Sequence, residues 1–167
     1  MPDTRIAVDC NFAMDLALPR DIAHDAREVI HRRLRGAQVF ITFTAFGELV
    51  HKEHNDPSPE IRNRARKAIA GLRSWGIVPT GLTDLQSLAA RRIADRLLEL
   101  RIIPVAERND ALILAEAAVL ECQLLISSDT DLRGANPARL MLVLSENQLP
   151  MVVIRGPRDI VRDFAGR

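Results

Sequence analysis

Asp9, Glu48, Asp110 and Asp129 each fall just past a short apolar run or at the opening of a helical pattern, and Asp131 follows two residues after the last. Acids delivered at such places point into one crevice. Carboxylates gathered without a counterion repel one another and take up protons, so a cluster of them implies a divalent cation. No histidine or cysteine belongs to the set, and all-oxygen donors favour Mg2+ or Mn2+ over zinc. These ions, with an incomplete protein shell and retained water, suit phosphodiester hydrolysis: a metal lowers the pKa of the attacking water and steadies the leaving oxygen. Each acid also has a plainer role open to it. Asp9 can cap the first helix, Glu48 can be a solvated helix residue, Asp110 can be only an N-cap, and Asp129-Thr130-Asp131 can be an Asx-type turn.

The elements that must position these acids centre on residues 109–132. Residues 111–120 are apolar almost all round apart from Glu116, which predicts a helix buried on most sides, with Asn109 or Asp110 as its N-cap. Leu124, Leu125 and Ile126 form the continuous apolar run of a parallel strand covered on both faces. In open α/β sheets ligands bind beyond the carboxyl ends of the strands, where Asp129 and Asp131 fall.

Earlier in the chain, residues 5–9 read as a strand ending in Asp9, followed by Cys10, Asn11 and a helix from near Phe12. Asp15, further along, reads as solvated or capping. A second helix covers residues 22–34 and ends at Gly36, with His24 and His31 on its surface. Residues 38–44 predict the second strand, Thr44 an N-cap, and Glu48 a place in the first turns of the helix that follows. His51, Glu53 and His54 lie at that helix's solvated end. Residues 58–75 form a helix capped by Ser58, with Arg62, Arg66 and Arg73 on one face. That face either tracks phosphates or is simply solvated. Another helix starts at Thr83-Asp84. Residues 138–144 predict a short helix and residues 151–154 a last strand. Strands alternating with helices imply a parallel sheet of four to five strands between two helical layers.

With 167 residues and 47% hydrophobic content, the chain suits a single domain over residues 1–167. Its apolar runs are too short to span a bilayer and its start lacks a signal-peptide layout, which predicts a cytoplasmic protein. Cys10 and Cys122 read as small reduced core residues. A net charge of +1 is no nucleic-acid signature, and of 23 basic residues only Lys52 and Lys67 are lysine.

The segments VDCNF at residues 8–12, TAFGEL at 44–49, NDALILAEA at 109–117 and LLISSDTDL at 124–132 resemble those of PIN-domain ribonucleases. The similarity is greatest to the VapC-type toxins of toxin–antitoxin pairs, and it covers nearly the whole length. It implies a three-layer α/β/α PIN-like fold with Asp9, Glu48, Asp110 and Asp129 as a metal-binding quartet and Asp131 as a fifth contributor. Asp9, Asp110 and Asp129 would hold the main Mg2+ or Mn2+, and Glu48 would orient water or assist a second ion. Two residues depart from the pattern: Cys10 stands where a hydroxyl residue commonly follows the first acid, and Leu132 where Phe is usual. The segment from Gly134 to Pro150 is also longer than in compact toxins.

The expected function is thus endoribonucleolytic cleavage of RNA, with Arg62 and Arg66 as phosphate contacts, a protein antitoxin as partner and self-pairing into a homodimer. The alternative is a catalytically inactive PIN-like module for RNA binding or scaffolding. No Gly-rich phosphate loop points to an NTPase.

Overall fold

The computed structural model describes residues 4–165, and its middle is the strand β1 (Arg5–Val8), whose Ile6, Ala7 and Val8 are fully buried. After β1 come α1 (Cys10–Leu16), α2 (Ile22–Arg33), β2 (Gln38–Ile41), α3 (Phe43–Asn55), α4 (Pro59–Gly71) and β3 (Ile77–Pro79). The chain continues through α5 (Asp84–Glu99), α6 (Arg108–Val119), β4 (Leu124–Ile126), α7 (Thr130–Arg133), α8 (Pro137–Glu146), β5 (Val153–Arg155) and α9 (Pro157–Ala165). The sheet has five strands in the order β3-β2-β1-β4-β5, all parallel. Helices cover both of its faces, giving the three-layer α/β/α fold expected from the sequence.

The strand order decides where a site can form. From β1 the sheet grows outward through β2 and β3, then the chain crosses back to lay β4 and β5 on the other side of β1. The connections diverge between β1 and β4, which opens a crevice at their carboxyl ends. Val8 pairs with Ile41 on one side and Ile126 on the other, so the residues following all three strands emerge together.

Helix α6 is buried over Ala111 and Ile113–Ala118, as its apolar composition requires. Glu116 within it is only 3% exposed, and its carboxylate is satisfied by the start of α3. The Thr44 backbone N–H donates to Oε2 at 2.9 Å and the Thr44 hydroxyl to Oε1 at 2.6 Å. An anion at a helix N-terminus meets unpaired N–H groups and the positive end of the dipole, which is why this charge tolerates burial. The contact locks α3, carrying Glu48, against α6, carrying Asp110.

Several element ends differ from the sequence expectation. The cap of α3 is Thr42, not Thr44, because β2 already ends at Ile41 and Thr44 is drawn to Glu116. Helix α6 begins at Arg108, so neither Asn109 nor Asp110 caps it; Glu107 holds the cap position without a side-chain cap bond, and Asp110 lies in the first turn. The helix expected to run to Trp75 stops at Gly71, where a Cβ would come within 2.5 Å of the Trp75 ring. The last strand is Val153–Arg155, and Ile77–Pro79 is a short edge strand that the sequence pattern did not single out. Among the described residues no helix is long and apolar enough to cross a membrane.

Replacing Glu116 by Ala leaves the Thr44 N–H and hydroxyl facing a cavity without an acceptor. We expect a loss of about 2–4 kcal/mol, with a smaller loss for Glu116→Gln, both read by urea denaturation. An unchanged midpoint in both variants would contradict the locking role.

Candidate metal centre

Asp9 leaves β1 directly into α1 and is 3% exposed. Its Oδ1 accepts the Phe12 backbone N–H at 2.7 Å, and the Ser127 hydroxyl donates to its Oδ2. Ser127, the first residue past β4, also accepts the Asp129 backbone N–H on its Oγ at 2.9 Å. One hydroxyl therefore joins the ends of β1 and β4. Asp129 in turn caps α7, its Oδ1 accepting from the backbone N–H of Asp131 at 2.7 Å and of Leu132 at 3.3 Å. The capping roles open to Asp9 and Asp129 are thus both realised. For Asp129 the second carboxylate oxygen is not used by the cap.

Asp110 is the electrostatic meeting point. It feels repulsion, in falling order, from Asp129, Glu107, Glu48 and Asp9. Its Oδ2 is buried with no hydrogen-bond partner among the described residues. Burial first, and these charges second, push its carboxyl up to about 7. Burial likewise pushes Asp9 up to about 7, against the Ser127 and Phe12 hydrogen bonds that favour its charged form. Glu48 is held by Asn109, whose amide Nδ2 donates to Oε1 at 2.8 Å. Asp131 is exposed, and one carboxylate oxygen each from Asp131, Asp110 and Glu107 lie within 4.8 Å of one another. None of these six acids has an ion-pair partner among the described residues.

Glu107 and Ser127 were not singled out from the sequence. Glu107 precedes Asp110 by three residues and so shares its side of the helix start, a spacing signal hidden by the expectation that the helix began later. Ser127 reads as strand-end punctuation until the register sets it beside Asp9.

Arg62 and Arg66 both have partners within the fold. Arg62 donates to the carbonyls of Asp56 at 2.6 Å and Pro57 at 3.3 Å, closing the α3–α4 turn. Arg66 pairs with Glu53 at 3.2 Å while remaining largely exposed. It is Arg64, two residues from each, that turns toward α1 and Asp15. Cys10 and Cys122 are buried, unpaired thiols, and burial pushes them up to about 12 and about 11.

No protein-family model matches the sequence, and no curated protein matches it. Solved structures match by fold. The crystal structure of VapBC2 from Rickettsia felis bound to a DNA fragment from their promoter aligns with a TM-score of 0.61 and 12% identity, over 92% of this chain and 98% of that one. The crystal structure of FitAcB from Neisseria gonorrhoeae aligns with a TM-score of 0.52 and 14% identity, over the same shares. Over 92% of its length the chain therefore has the PIN-like fold that its motifs resemble.

The raised carboxyls set a pH dependence for the metal-free protein. Asp9 and Asp110 bind protons more tightly folded than unfolded, where their usual value is 3.8. Their contribution favours the fold below about pH 4 and is lost as pH rises through about 7. We expect the metal-free melting temperature to be higher at pH 5 than at pH 8, and Mn2+ to raise it more at pH 8. Asp9→Asn should reduce the difference; a wild-type profile already flat over that range would refute the burial-raised carboxyls.

Proposed function

We propose that the protein is a metal-dependent endoribonuclease and the toxin of a toxin–antitoxin pair. The observation that carries this reading is the buried Asp110 Oδ2, without a partner among the described residues, set among carboxylates that no ion pair of those residues neutralises. A half-buried acidic set of this kind fits a hard divalent ion with oxygen ligands. Asp9, Asp110 and Asp129 would hold Mg2+ or Mn2+, with Glu48 orienting water, and Asp131 and Glu107 lining the open side. Bound there, the ion would supply Lewis-acid activation of water and charge stabilisation at the leaving oxygen.

The remaining work belongs to the chain. Phe12 N–H and Ser127 hold Asp9 in one orientation, the α7 cap holds Asp129, and Asn109 holds Glu48. RNA phosphates would meet the solvent-facing Arg66 in exchange for its Glu53 pair, whereas Arg62 is committed to the turn it closes. A crevice this acidic calls for a cationic partner. An antitoxin presenting an arginine to it, together with self-pairing through helices, is what the motif resemblance implies.

Purified protein should cut a mixed RNA pool with Mg2+ or Mn2+ and stop with EDTA. Asp9→Asn and Asp110→Asn should each lower the rate by more than about 100-fold while keeping the fold by circular dichroism. Metal binding in calorimetry without cutting of RNA or single-stranded DNA would instead favour the non-catalytic module.

A further inference from the structure

Asp15 joins three parts of the fold that have no backbone connection at that point. Its Oδ1 accepts from the Arg64 guanidinium at 2.6 Å, and the same guanidinium donates from Nε to the Met14 carbonyl at 2.8 Å. Two neighbouring acceptors thus fix the plane of Arg64. The side chains are only 29% and 23% exposed for Arg64 and Asp15, so solvent screens the pair incompletely. The second oxygen of Asp15 accepts the Ser128 hydroxyl at 3.0 Å. An ion pair serving only to join α1 to α4 would be complete without Ser128.

Ser128 stands in the short segment between β4 and α7, with Ser127 before it and Asp129 after it. Ser127 is tied to Asp9 and to the Asp129 backbone. With Ser127 bonded to the N-cap of α1 and Ser128 to a residue in its last turn, the segment loses the freedom to rotate Asp129 away from the crevice.

Building on the nuclease reading, we propose that Asp15 and Arg64 are positioning residues for the metal centre, acting through Ser128 to hold Asp129 opposite Asp9. Partners that orient ligands without touching the ion commonly change metal affinity or activity by about 10–100-fold.

The decisive variant is Ser128→Ala, which leaves the Asp15–Arg64 pair and all helix packing in place. It should weaken Mn2+ binding by about 10-fold or more in calorimetry and speed hydrogen exchange of the Asp129–Asp131 amides in metal-free protein. It should also lower kcat for RNA cleavage with KM unchanged. Arg64→Ala should do the same, adding little to Ser128→Ala in the double variant, and Arg64→Lys should recover part of the loss. Wild-type Mn2+ affinity and exchange in Ser128→Ala would overturn the proposal and leave the pair as a brace between α1 and α4. A wild-type protein that neither binds Mn2+ nor cuts RNA would overturn the nuclease reading and this inference together.

Discussion

The parallel pairing of β1 with both β2 and β4 is the constraint on which the rest depends. Val8 is in register with Ile41 and Ile126, so Asp9, Thr42 and Ser127 leave the sheet side by side. A slip of one residue in either ladder would turn buried side chains such as Ala7 and Leu125 to the opposite face, so the packing of both faces enforces the register. The site inherits its precision from that enforcement. Nothing flexible lies between the last ladder bond and Asp9.

The crevice combines two demands that oppose each other. Acids must approach closely enough to share an ion, yet without the ion their charges repel in a half-buried setting. The chain manages this by giving Asp9 and Asp129 hydrogen bonds from backbone N–H groups at helix starts, and at Asp9 that bond favours the ionised form. Asp110 has no such support. Its Oδ2 is a buried carboxylate oxygen with no hydrogen-bond partner among the described residues, a place where a cation has much to offer.

Behind the crevice, buried and half-buried polar groups serve as joints. Glu116 at the N-terminus of α3 and Asp15 between α4 and the β4–α7 segment are carboxylates satisfied by donors from other elements. Both were inconspicuous in the sequence. Glu116 sits inside an apolar run, and Asp15 looks like any acid on a short helix, because partners 49, 72 and 113 residues away leave no local pattern. The α4 arginines show the same limit. Helical spacing groups Arg62 with Arg66, but only the packing of α4 against α1 reveals that Arg64 faces inward.

Local chemistry made much of the architecture readable. The cap at Ser58, the helix start at Thr83-Asp84, the apolar run of β4, and the all-round apolar α6 are short-range patterns of propensity and burial, and they appear where the sequence places them. The ends of α5, α6 and α8 were harder, because Arg101, Glu121 and Gln148 take the left-handed turn that glycine usually marks. The alternation of strands and helices, and the acids at strand ends and helix starts, were legible along the chain because they follow from near neighbours. Only the tertiary structure decided that Glu107 joins Asp110 and Asp131, that Ser127 bridges two acids, and that Arg64 rather than Arg62 or Arg66 turns toward Asp15. Those relations depend on register and helix rotation, which are set by the packing of the whole core.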